Sequence, residues 1–89
     1  MALSFQFELI MPIHLDWRTL ELFAAVAETG SIARAAERCH TVASAVSKRL
    51  SDLESALGTA LLERHSKGIR LTPAGTALLD RARGLIEQA

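Results

Sequence analysis

Lys48 stands among small hydroxylated residues: Ser44, Ser51 and Ser55 share its side of any helix through this segment, with Ser47 on the flank. Val46, Leu50, Leu53 and Leu57 line the opposite side, within about 60° of one another at 100° per residue. A solvent-facing helix is usually rich in Glu, Lys and Gln. A face of serines around one lysine instead lets the helix backbone come close to another surface. Downstream, Arg64, Lys67 and Arg70 cluster around the turn signal Ser66-Lys67-Gly68. These groups suit charge-assisted hydrogen bonding to a polyanion. Catalysis finds no support, because the chain shows no Ser-His-Asp order, no phosphate-cradling glycine loop and no paired carboxylates. His14, His40 and His65 are isolated, with no partner at metal-ligand spacing. A lone cysteine, Cys39, excludes an intrachain disulfide and a cysteine-based zinc site, and reads as a small core residue.

Ten Lys and Arg balance ten Asp and Glu, yet the charge is unevenly placed. Residues 1–31 carry Arg18 against four acids, a net −3; residues 32–72 carry seven cations against four acids, a net +3; residues 73–89 balance. A polyanion would be drawn to the middle. With 89 residues, 49% of them apolar, the chain has a core for one domain of modest stability, which a partner subunit would reinforce. No apolar stretch approaches a membrane span, and no basic segment precedes the first apolar run as a secretory signal requires. Residues 1–12 read as an extension outside the core fold. Phe5, Phe7 and Leu9 alternate as in a short strand, and Met11 would serve equally well as an initiator.

The punctuation predicts the elements that hold these groups. Asp16 caps a helix to Thr29, with Leu20, Phe23, Ala24 and Ala27 on one stripe and Gly30 as its stop. Ser31 caps a short helix from Ile32 to about Cys39, in which Ala35 and Ala36 permit close packing. After a brief turn the serine-lysine helix runs from Ala43 to Leu57, closed by Gly58, with Thr41 placed to cap it one residue early. Leu61 to Leu71 form a small hairpin. Thr72 caps, and Pro73 begins, a last helix with the stripe Ala74, Leu78, Ala82, Leu85, Ile86 and Ala89. The expected fold is mainly α: three helices and a β-hairpin wing, a winged helix-turn-helix, followed by a long linker helix. That arrangement fits DNA, since a helix of small side chains sits deep in the major groove and cations at its start and on the wing neutralise phosphates.

Leu20-x-x-Phe23, Gly30-Ser31, Ala35-Ala36, Ser44-Ala45-Val46-Ser47, Leu53-Glu54, Leu57-Gly58, Leu61-Leu62-x-Arg64 and Leu71-Thr72-x-Ala74-Gly75 follow one another in order. Together, over about Leu15 to Gln88, they resemble the N-terminal part of the LysR-type transcriptional regulators. The resemblance implies a winged helix-turn-helix at 13–72, a dimerising linker helix at 73–89, and an effector-binding domain of the periplasmic-binding-protein type, for which this chain has no room. It therefore reads as the DNA-binding fragment of a longer regulator, or as one cut short. At the start of the recognition helix the family usually has Ser-Gln-Pro or Ser-Gln-Ser, where this chain has Val42, Ala43 and Ser44. Ala43 thus replaces a base-reading Gln, so no base preference carries over. Ile32-Ala33 stands where Phe-Thr is frequent, and Cys39 where Leu is.

From the residues and the resemblance together, the expected DNA contacts are Ser31, Ala43, Ser44, Ser47, Lys48, Arg49, Arg64, Lys67, Arg70 and Thr72. Of these, Ser31 and Thr72 also serve as caps, and Arg49 lies off the groove face. Leu78, Ala82, Leu85 and Ile86 are expected to make a homodimer through the linker helix, on the reasoning that one small domain cannot bury them. The implied partners are double-stranded DNA with an interrupted palindrome and a second copy of the chain, with a tetramer open to a longer protein. No membrane and no cofactor are expected, and a small-molecule effector enters only with a C-terminal domain. The implied setting is the bacterial cytoplasm, on the nucleoid. Two other readings fit the same residues: a molybdate-responsive type of winged-helix regulator, and a winged-helix module that binds protein instead of DNA.

Overall fold

The computed structural model describes residues 16–88, with side-chain surroundings as far as Gly84. The element order is α1 (Trp17–Thr29), α2 (Ile32–Arg38), α3 (Ala43–Leu57), β1 (Leu62–His65), β2 (Gly68–Leu71) and α4 (Pro73–Gln88). The proposed extension, residues 1–12, lies outside the described residues. No described helix is long and apolar enough to cross a membrane.

Local chemistry sets the helix ends. The Asp16 carboxylate accepts from the Thr19 N–H at 2.8 Å, and Ser31 Oγ accepts from the Arg34 N–H at 3.1 Å. Thr72 Oγ1 accepts from the Gly75 N–H at 3.0 Å. Gly30 and Gly58 close α1 and α3 with φ near 70°, a region that side chains with a Cβ seldom enter. The turn between α2 and α3 places His40 at φ 57°. His is among the few non-glycine residues found there with any frequency.

Phe23, Val26, Leu22, Val46, Leu53 and Leu61 are sealed from solvent where α1, α3 and the start of the hairpin converge, and Ala35 and Ala36 bring α2 against them. Full burial of each large apolar side chain contributes about 1.5–3 kcal/mol relative to exposure. Leu79 of α4 joins the same cluster. The strands pair antiparallel, Leu62 with Leu71, Glu63 with Arg70, Arg64 with Ile69 and His65 with Gly68.

Two expectations change here. Thr41 does not cap α3: the N-cap is Val42, with no side-chain capping bond, and the Thr41 N–H is used on the Ala36 carbonyl at 2.9 Å. Ala82, expected on the free face of the last helix, is only 1% exposed. The helix packs on α1 and β2, so part of its apolar stripe serves this chain's own fold. Leu78 is half-buried against the core as well. Leu85 and Ile86 fall beyond the residues whose side chains are described.

α4 is anchored at its first turn. The Thr72 hydroxyl donates to the Ala60 carbonyl at 2.7 Å, and the Thr72 N–H donates to the Leu61 carbonyl at 3.0 Å. A Cβ on Gly75 would collide with the Leu61 carbonyl oxygen, so only glycine allows this approach.

Candidate nucleic-acid interface

Four ties fix the surface around α3. Arg49 donates through Nη1 to Thr19 Oγ1 at 3.2 Å and pairs with Asp16 at 3.4 Å, joining α3 to the first turn of α1. The Thr19 amide and hydroxyl bonds, with Arg49 beside them, hold the Asp16 carboxyl below its usual range. At the other end of α3, one Glu54 carboxylate oxygen accepts from the Leu61 N–H at 2.7 Å and the Leu62 N–H at 3.1 Å. The hairpin therefore starts at a fixed place relative to the helix. Its return strand is held by the Ile69 N–H, which donates to the Gly30 carbonyl at 3.0 Å. The turn between α2 and α3 is steadied by Arg18, whose Nη2 donates to the Cys39 carbonyl at 2.6 Å, a cation on the C-terminal end of α2.

Between the hairpin and the α1–α2 turn lies a groove of about 460 Å³ lined by Ser31, Arg34, Arg64 and Lys67, with Ile32 and Ile69 beneath. Arg34, Arg64 and Lys67 make no ion pair among the described residues. A second, smaller hollow of about 190 Å³ continues from Arg64 to Ser47, Ser51 and Leu50 of α3. Arg64 borders both, and so connects the cationic groove to the serine face of the helix.

The structure brings together part of the expected set. Ala43, Ser44 and Lys48 are exposed, and Ser47 is half-buried on the flank, all on α3. Lys48, its side chain 77% exposed, pairs with Asp52 one turn away at 3.1 Å. Ser31, Arg64 and Lys67 line the groove. Others are employed elsewhere. Arg49 faces the α1 seam. Arg70 pairs with Glu63 at 2.7 Å on the hairpin face opposite Arg64, because neighbouring cross-strand pairs alternate between faces. The Thr72 hydroxyl proton is committed to Ala60. Arg34 was not among the expected residues, although its place three positions after the capping Ser31 puts it beside that cap. Glu54 was also missed as the residue that positions the wing. No group of three or more His, Cys, Asp or Glu residues is gathered for a metal among the described residues.

Three helices with a hairpin packed beside the third define a winged helix-turn-helix. The model of the bacterial regulatory helix-turn-helix proteins of the lysR family matches residues 17–76, and the chain belongs to that family. It is 44% identical over 75 residues to the HTH-type transcriptional regulator TcbR of Pseudomonas sp. (strain P51), which takes in 84% of this chain and 26% of that protein. Among solved structures it is similar to the CbnR DNA-binding domain in its DNA complex, with a TM-score of 0.77 and 43% identity over 83% of this chain and 85% of that one. The BenM DNA-binding domain with its benA site 1 DNA gives a TM-score of 0.78 and 32% identity, covering 83% of each chain. The chain thus spans about a quarter of the length of the relative TcbR.

Proposed function

We propose that this chain binds double-stranded DNA sequence-specifically, with α3 in the major groove and the wing over the backbone. One observation carries the reading: the serine-lysine face of α3 opens, through Arg64, onto the stretch where Arg34, Arg64 and Lys67 stand free of carboxylate partners among the described residues. Elsewhere Arg38, Arg49, Arg70 and Arg83 each meet an acid. Free cations beside a face of small side chains fit a phosphate backbone flanking a groove. The relatives CbnR and BenM, solved with DNA, support the same reading. The role is regulatory and non-enzymatic, exercised in the cytoplasm as part of a longer regulator.

The linker helix α4 is the proposed dimer element, with Leu85 and Ile86 as its contact residues; Ala82, buried within the chain, and Leu78, half-buried against the core, are no longer assigned to that contact. A two-fold dimer would set two α3 helices on an interrupted palindrome. Sedimentation of Leu85→Asp and Ile86→Asp should show monomer where the parent is dimer. The main test is selection of binding sites from a random duplex pool, followed by mobility shifts across salt. The expected result is a defined site and a linear fall of log affinity with log salt. Failure to select any duplex would overturn the DNA reading and favour the protein-binding module.

A further inference from the structure

Val42 is the most exposed large apolar residue among the described ones, at 63%, and it occupies the N-cap of α3. Neither fact serves the fold. A Ser, Thr or Asp at an N-cap would accept a bond from the first turn, and loss of such a cap typically lowers stability. Val42 makes no capping bond, and it packs too little to gain by burial. The next residue, Ala43, is exposed and adds only a methyl group. The helix therefore begins with a small apolar step, followed at once by the polar positions Ser44, Ser47 and Lys48.

Resting on the DNA reading above, we infer that Val42, with Ala43 leaving room beside it, selects a thymine by packing on its 5-methyl group. The leading end of a helix-turn-helix recognition helix meets base edges. In the major groove the bases are distinguished mostly by hydrogen-bond donors and acceptors, and the 5-methyl of thymine is the one apolar group larger than a hydrogen atom. Val42 offers that methyl a dehydrated neighbour. A longer polar side chain at position 43 would compete for the same space. The specificity at this end of the helix is then apolar, while Lys48 and the serines supply polar contacts further along.

The experiment replaces thymine by deoxyuridine, one position at a time, in a duplex selected by the 89-residue chain. Base pairing is kept and only the methyl is lost. One position per half-site should weaken binding by about fourfold, the weight of one methyl group taken from water, while the other positions stay near parity. Val42→Ser should bind thymine and uracil duplexes alike at that position. Because serine restores a side-chain cap, its thermal unfolding should be no lower than that of the parent, so loss of discrimination is separable from loss of fold. Absence of any uracil-sensitive position, or undiminished sensitivity in Val42→Ser, overturns the inference and leaves DNA binding intact. A chain that selects no duplex fails at the earlier reading instead.

Discussion

Arg49 and Arg64 are the same residue type at two sites with opposite surroundings. Arg49 sits at the seam between α3 and α1, where Asp16 and Thr19 receive its guanidinium. Arg64 stands at the rim of the wing, where it borders two hollows and pairs with no carboxylate among the described residues. The seam positions elements of the fold, whereas the rim leaves charge available for a partner. The same division separates Arg70, closed across the hairpin with Glu63, from Lys67 at the hairpin turn.

Arg64→Ala should give the largest effect. Removing a charge-assisted bond to phosphate costs about 1.5–3 kcal/mol of binding. The salt slope should fall by about 1 per half-site, with sequence preference and melting temperature unchanged. Mobility shifts at several salt concentrations measure this, and a shift in the selected sequence would show that Arg64 also reads bases. Glu54→Ala should act on the other side of the comparison. It strips the Leu61 and Leu62 amides of their acceptor, so denaturant unfolding should show a loss of about 1–3 kcal/mol. Binding should weaken with it as the wing loses its fixed start. An unchanged midpoint would mean that water replaces the carboxylate at no cost.

Asp16→Ala comes next. The lost cap should cost about 1 kcal/mol, seen as a drop of roughly 4–8 °C in the melting midpoint of a domain this size. Its pH dependence has a definite sign. The native state holds the Asp16 proton more weakly than the unfolded chain does. The stabilisation is therefore present above the ordinary carboxylate value and lost as pH falls through the lowered one. Asp16→Asn keeps a capping oxygen without the charge and should flatten the acid end of the melting profile. A parallel profile in that variant would place the acid sensitivity elsewhere. The smallest effect belongs to Asp52→Asn. It releases Lys48 from an exposed pair worth about 0.3–0.5 kcal/mol and should raise affinity slightly in a titration at low salt. No change would mean that the pair is already open when α3 is bound.

The helices were legible because their ends are written in single residues. Asp16, Ser31 and Thr72 offer cap oxygens, and Gly30 and Gly58 release the chain from two helices. The serine-lysine face of α3 was legible from periodicity alone. The partners of long charged side chains were not, since Arg49 finds Asp16 across 33 positions and Glu54 finds its amides across a loop. Periodicity also could not tell that Ala82 would be used within the chain, because an apolar stripe carries no label for the surface that covers it. Arg34 was missed because its role depends on the hairpin folding back over the α1–α2 turn, a contact made through the Ile69 and Gly30 backbones.

The close approach at Gly75 makes α4 a lever. Its 16 residues reach about 24 Å, and its base rests against the Leu61 backbone with no room for a side chain. A tilt of about 5° there would carry the far end sideways by about 2 Å over that length. An alanine at this one position would therefore change the direction in which the domain points its helix, while leaving the side chains of the wing and α3 unchanged.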